Sequence, residues 1–371
     1  MIKNIFNGFS FLVRFVSVAA LLLSSYGFVW PVKPAAFITL QDERLAISPK
    51  EFYVASVVDN RSNTHAVAWL LADATVSKPQ PIDLDGGAAQ ALKKYISNNI
   101  PVNTTLRPVI VHIDELKVIE TALPGGRIEG KITINLSFDR KYPDDNVYLL
   151  SYKSSARYIR PQNQLDVVEP TLRRTLGSAL IYLNTWMNKE ADHNPKLAKK
   201  VKLSFTDYTD NSDPDTIYYT TKRPLIWNDF KAKPINGTKY AAEVFPSLAF
   251  DEEVEVVNST IQVRIKMKVY LPKSASWVKP GYQDDYTLNH EQRHFDIAKI
   301  ASEHYKRGLL TEQQPVTNYD GAIHADYLEA FRDMNRMQKQ YDDETRHGLD
   351  QYAQSQWNER IDKELKILDV K

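Results

Sequence analysis

The chain has no cysteine. That absence excludes disulfides, thiolate metal sites, a cysteine nucleophile and lipid attachment through an N-terminal cysteine. Stability must come from cores of ordinary size, and any zinc must be held by nitrogen and oxygen. A long basic run is missing too. Pairs such as Lys199-Lys200 occur, but 47 Lys and Arg face 46 Asp and Glu, leaving a formal net charge of +1. A nucleic-acid surface needs clustered Lys and Arg, so no nucleic-acid partner is expected. The apolar stretch at the N-terminus also falls short of the ~20 residues that a membrane span needs.

What that stretch does offer is an export signal. Lys3 and Arg14 precede Phe15-Val16-Ser17-Val18-Ala19-Ala20-Leu21-Leu22-Leu23, a basic start followed by a short apolar core. Residues 1–36 are therefore expected to be a signal peptide, with Ala35 and Ala36 marking a region for cleavage. The alternative is an uncleaved anchor that recruits Tyr26 to Trp30 and keeps the protein attached to the membrane. Either way the mature protein is placed outside the cytoplasm, in the periplasm or beyond.

The length of 371 residues suggests about two domains. Residues 37–200 read as a mixed α/β unit. Phe52 to Val58 is strand-like, Ala88 to Ile96 helical, and Pro108 to Ile119, Ile128 to Phe138 and Val147 to Tyr158 are three further strands. Lys131 to Phe138 alternates polar and apolar as a half-buried strand does. Asp166 to Met187 then makes a long helix. This βαβββα order resembles the envelope lipoprotein and transporter-accessory domains of bacteria, which implies a binding or positioning module. It holds isolated histidines, His65 and His112, and no catalytic constellation. Lys189 to Asp215 is polar and reads as the boundary.

The second unit, residues 216–371, carries the chemistry. Ile261, Val263, Ile265, Met267, Val269 and Leu271 alternate with polar residues and form a hairpin with Asp251 to Val257. One wet face there suits an edge open to strand addition by an extended peptide, or equally a sheet that closes the core. Then comes Leu288-Asn289-His290-Glu291-Gln292-Arg293-His294-Phe295-Asp296. On a helix, positions i and i+4 lie on one face, ~5–6 Å apart at their β-carbons. Two imidazoles so placed converge on one zinc ion at ~2.0–2.1 Å. Glu291, directly after the first ligand, stands where such helices carry the general base toward a metal-activated water. Ile297, Ala298, Ile300, Ala301, Tyr305 and Leu309 continue the helical spacing, and no glycine precedes Gly308. After a linker at Thr311 to Asn318, Tyr327, Leu328, Phe331, Met334, Met337 and Tyr341 form a packing stripe. Leu349, Tyr352, Trp357, Ile361, Leu365 and Leu368 continue the amphipathic pattern.

Catalytic zinc usually has three protein ligands. Asp296 lies ~200° around the helix from His294, and Glu303 ~180°, so both face away. His304 is ~15 Å further along the axis. The third ligand must therefore come from elsewhere, and His324 and His347 remain. Carboxylates around His347, in Tyr341-Asp342-Asp343-Glu344-Thr345-Arg346-His347-Gly348, suit an imidazole oriented through its second nitrogen, which favours His347. Tyr341 is a candidate oxyanion donor, set against the reading of a packed core tyrosine.

Arg223 to Phe230, Ser276-Trp277, the run from Leu288 to Ile297 and the run from Tyr341 to Gly348 resemble, in order, successive blocks of the bacterial domain-of-unknown-function 922 family. Its members are described as secreted zinc-dependent proteases. The resemblance covers roughly residues 216 to 371. It implies a metal held by His290 and His294, Glu291 as base, and His347 as third ligand through the Thr-x-His-Gly block. Arg293 departs from the glycine common in relatives, which bears on packing or substrate access. The expected fold is α+β, a βαβββα-like domain followed by a zincin-like domain with an antiparallel hairpin and a long metal-binding helix. The expected function is an exported zinc metallopeptidase acting on polypeptide. A metal-dependent hydrolase of a non-peptide envelope component, or an envelope scaffold with a structural metal site, are the alternatives.

Overall fold

The computed structural model describes residues 37–72, 78–143, 145–162, 164–210 and 212–370. The signal or anchor expected over residues 1–36 lies outside them. Among the described residues no helix is long and apolar enough to cross a membrane.

The fold is α+β. The first unit holds β1 (Phe52–Asp59), β2 (Ala68–Leu70), β3 (Gln80–Ile82), α1 (Ala88–Asn99), β4 (Arg107–Leu123), β5 (Arg127–Lys141), β6 (Asn146–Pro161) and α2 (Val168–Glu190). Its sheet runs β3-β2-β4-β5-β6, with β1 pairing β4 in parallel. The alternation predicted for β5 is realised: Ile132, Ile134, Leu136 and Phe138 are fully buried. They pack against Leu172, Leu176, Leu180 and Leu183 of α2 and Leu92 and Ile96 of α1. Each such side chain contributes about 1.5–3 kcal/mol by leaving water. Short β2 and β3 lack the length for a sequence pattern and are held by their neighbours.

The polar stretch read as a boundary contains a strand, β7 (Lys200–Asp207). Its Val201, Leu203 and Phe205 face an apolar cluster that also includes Tyr305 and Leu309. Then follow β8 (Thr216–Tyr218), β9 (Ala242–Glu243), β10 (Ser247–Val257), β11 (Thr260–Pro272), β12 (Trp277–Val278), α3 (Asp285–Thr311), α4 (Tyr319–Thr345) and α5 (Gln351–Ile367). β10 and β11 form the predicted hairpin. β11 is paired on both sides, by β10 on one and by β7 and β8 on the other, while β10 forms an edge of the sheet. β9 pairs with β12 in a separate two-stranded ribbon.

All six apolar positions of β11 are buried, and α3 lies over them. Asp284 caps α3, its carboxylate accepting from the Thr287 amide at 2.8 Å, which satisfies one orphan N–H and complements the helix dipole. The α4 stripe is core at Met334 and Tyr341, but Leu328 is exposed; Leu349 and Tyr352 are also exposed.

Candidate metal centre

His290, Glu291 and His294 sit in the first half of α3, all buried. Their surroundings decide which ring nitrogen is free. His290 Nδ1 lies 2.9 Å from Gln354 Oε1, so Nδ1–H donates and Nε2 keeps its lone pair. Gln338 Oε1 holds His294 Nδ1 in the same way, and Gln338 Nε2 donates back to the His294 carbonyl at 2.9 Å. Amide oxygens in these positions fix tautomer and ring orientation as carbonyl partners of metal-ligating histidines do.

Both Nε2 atoms face one carboxylate oxygen. Asp342 Oδ1 is 3.3 Å from His290 Nε2 and 3.0 Å from His294 Nε2. Ligand atoms of His290, His294 and Asp342 all lie within 4.8 Å of one another. Asp342 Oδ1 is itself buried and makes no aligned hydrogen bond. A buried, unaligned oxygen facing two lone-pair nitrogens fits a shared cation. This donor set, two imidazoles and a carboxylate, suits zinc. Burial pushes the Asp342 carboxyl up, yet His290, His294 and His347 outweigh it and hold it far below the usual range.

His347 reaches the same oxygen, its Nδ1 3.3 Å from Asp342 Oδ1, but it falls outside the group whose ligand atoms lie within 4.8 Å of one another. The backbone sets its approach. Asp342 belongs to the end of α4, whereas Arg346, His347 and Gly348 follow in left-handed conformation at φ 53°, 54° and 75°. Two such non-glycine residues in succession store about 1–3 kcal/mol each. The His347 amide donates to the Asp342 carbonyl at 2.9 Å, and its ring lies tilted by 34° against Tyr240, with centroids 3.9 Å apart. A β-carbon at Gly348 would come within 3.3 Å of the His290 ring. That close approach and the positive φ together call for glycine.

Tyr341 is wholly buried. Its hydroxyl donates to the His290 carbonyl at 3.2 Å and accepts from Gln354 Nε2 at 2.6 Å, while its ring stacks on His290 at 4.8 Å. It supports the histidine from beneath and does not line the cavity expected of an oxyanion donor.

Other expectations resolve locally. Asp296 turns away from the ligands, accepting from Tyr219 at 2.8 Å and Arg293 at 2.9 Å. Arg293 also donates to Asp362 on α5 at 2.7 and 3.1 Å, so its role is packing between helices. His304 pairs with Glu364, His324 with Asp320 and His112 with Asp139. Asp342, Gln338, Gln354 and Glu243 were not foreseen as site residues. Asp342 was visible only as one of several carboxylates beside His347.

The centre opens into a cavity of about 450 Å³ walled by Tyr240 to Pro246, the start of α3, the end of α4 and the turn to Leu349. Glu291 is 3% exposed and makes no hydrogen bond among the described residues. Burial pushes its carboxyl up; His294 and His290 oppose this, and Asp342 and Glu243 reinforce it.

No family model matches the chain. No curated protein matches it either. Among solved structures, the chain is similar to the crystal structure of a Xanthomonas campestris protein of family DUF330, with 9% identity, 42% of this chain and 99% of that chain covered, and a TM-score of 0.29. A likeness of that size carries no argument.

Proposed function

We propose that this chain is an exported, zinc-dependent hydrolase that cuts peptide bonds, with Glu291 as its general base. One observation carries the reading: two helix-borne imidazoles, each fixed through Nδ1 by a glutamine oxygen, turn their Nε2 atoms to the same buried Asp342 oxygen. His290, His294 and Asp342 would hold the ion. When bound, zinc supplies Lewis acidity toward a carbonyl and toward water.

The chain's own residues supply the rest. Glu291, buried at the cavity wall, is placed to take a proton from water and pass it to the leaving amine. Gln338 and Gln354 keep the imidazoles from rotating, and Tyr341 packs beneath them. An amide in a non-peptide envelope component would be handled by the same groups, so substrate trials separate the two.

The test is Glu291→Gln on the full chain. It should retain metal and lose about 10²–10⁴-fold in turnover of unfolded polypeptide. Full hydrolysis by this variant would remove Glu291 from the reaction.

A second reading has one observation in its favour. His347 Nδ1 stands 3.3 Å from Asp342 Oδ1, and joining the ligands would close a four-coordinate structural site. Cobalt substitution distinguishes them: a spectrum that responds to added inhibitor anions marks an open position, and an inert tetrahedral one marks closure.

A further inference from the structure

The cavity wall contains three carboxylates, Glu243, Glu291 and Asp342, and no lysine or arginine. Two of the three are accounted for by the ligand set and the base. Glu243 is left over. It lies on β9 directly opposite Trp277 of β12. The Trp277 indole, 2% exposed, donates to Glu243 Oε2 at 3.1 Å. That bond fixes the carboxylate, and among the described residues it has no cationic partner. A half-buried carboxylate with one hydrogen bond and no ion pair to lysine or arginine keeps the capacity to receive a cationic partner.

Four aromatic rings share the wall: Tyr240, Phe245, Tyr282 and Tyr286. A carboxylate among aromatic faces is the chemistry that receives cations, through charge-assisted hydrogen bonds and through attraction to the ring quadrupoles. The same wall carries no lysine or arginine to receive an anionic substrate group.

We propose that Glu243 is the specificity-determining residue of this cavity and pairs with an ammonium or guanidinium group of the substrate. The cutting of that substrate rests on the hydrolase reading above; the pairing does not. Two sources present this chemistry, the free N-terminal amine of a peptide and the side chain of Lys or Arg.

The experiment uses full-length, zinc-loaded Glu291→Gln and the Glu291→Gln/Glu243→Gln double variant. Gln at position 243 keeps an acceptor for Trp277. Calorimetry measures binding of one peptide in four forms: N-terminus free or acetylated, and a central Lys or its neutral isostere norleucine. With Glu243 present, the cationic form should bind about 10- to 100-fold more tightly, as one charge-assisted hydrogen bond allows. Without Glu243 that ratio should fall toward one. Sensitivity to acetylation identifies the terminal amine, and sensitivity to norleucine the side chain.

Equal binding of cationic and neutral peptides overturns the proposal, as does a preference that survives Glu243→Gln. Loss of zinc from the double variant also overturns it, by making Glu243 a ligand. No binding of any form overturns it as well. A Glu243-dependent preference in a wild type that cleaves nothing upholds the pairing and removes the hydrolase reading instead.

Discussion

Gln354, on α5, accepts the Nδ1 proton of His290, on α3, at 2.9 Å. The same amide donates to Tyr341 of α4 at 2.6 Å and to Asn358 at 3.0 Å. One buried side chain thus joins three helices and sets the tautomer of a candidate ligand. Removing it should be felt at the metal first. Gln354→Ala is expected to weaken zinc affinity about 10- to 100-fold, measured by competition with a chromophoric chelator. An unchanged affinity would show that His290 is oriented by packing alone.

Gly130 on β5 lies opposite Tyr158 on β6. A β-carbon there would meet the Tyr158 ring at 2.0 Å. The ring cannot shift freely, because its hydroxyl donates to buried Glu120 at 2.7 Å. Gly130→Ala should cost about 1–3 kcal/mol of stability through overpacking, read from a denaturant midpoint. A change within about 0.5 kcal/mol, typical of an unconstrained surface site, would contradict the ring's position.

The first of these predictions shows how legible the site was. Spacing alone placed His290 and His294 on one helix face with Glu291 directly after the first, and the rejection of Asp296 holds because that carboxylate is engaged by Tyr219 and Arg293. Asp342, Gln338 and Gln354 could not be read the same way. They converge only when α4 and α5 pack on α3, and a polar residue on a helix gives no local sign of which neighbour it will meet. Among the elements, β5, β11 and α3 announced themselves by period. β7 carried an alternation in Val201, Leu203 and Phe205, but its intervening lysines, serine and threonine made the segment look like a linker. β9 and β12 have two residues each and depend wholly on tertiary pairing.

β7 is also where acid should act. Asp207 bonds Lys299 of α3 at 2.6 Å and Lys306 at 2.5 Å. Burial pushes the Asp207 carboxyl up, but the two ammonium groups outweigh it and hold it below its ordinary value of 3.8. A depressed folded-state pKa stabilises above the unfolded value and loses that contribution as pH falls through the folded one. Asp207→Asn should therefore be less stable than wild type at pH 7. The gap should narrow as pH drops below about 4, as thermal unfolding across a pH series would record. A gap independent of pH would rule out the ion pairs as its source.

The most direct measurement is zinc titration of the metal-stripped full chain, alongside His294→Ala, Asp342→Ala and His347→Ala. One ion per chain is expected in the wild type, with binding lost in His294→Ala and Asp342→Ala and kept, though weaker, in His347→Ala. Wild-type-like binding by Asp342→Ala together with loss in His347→Ala would contradict this ligand set, and no stoichiometric binding at all would contradict the metal centre itself.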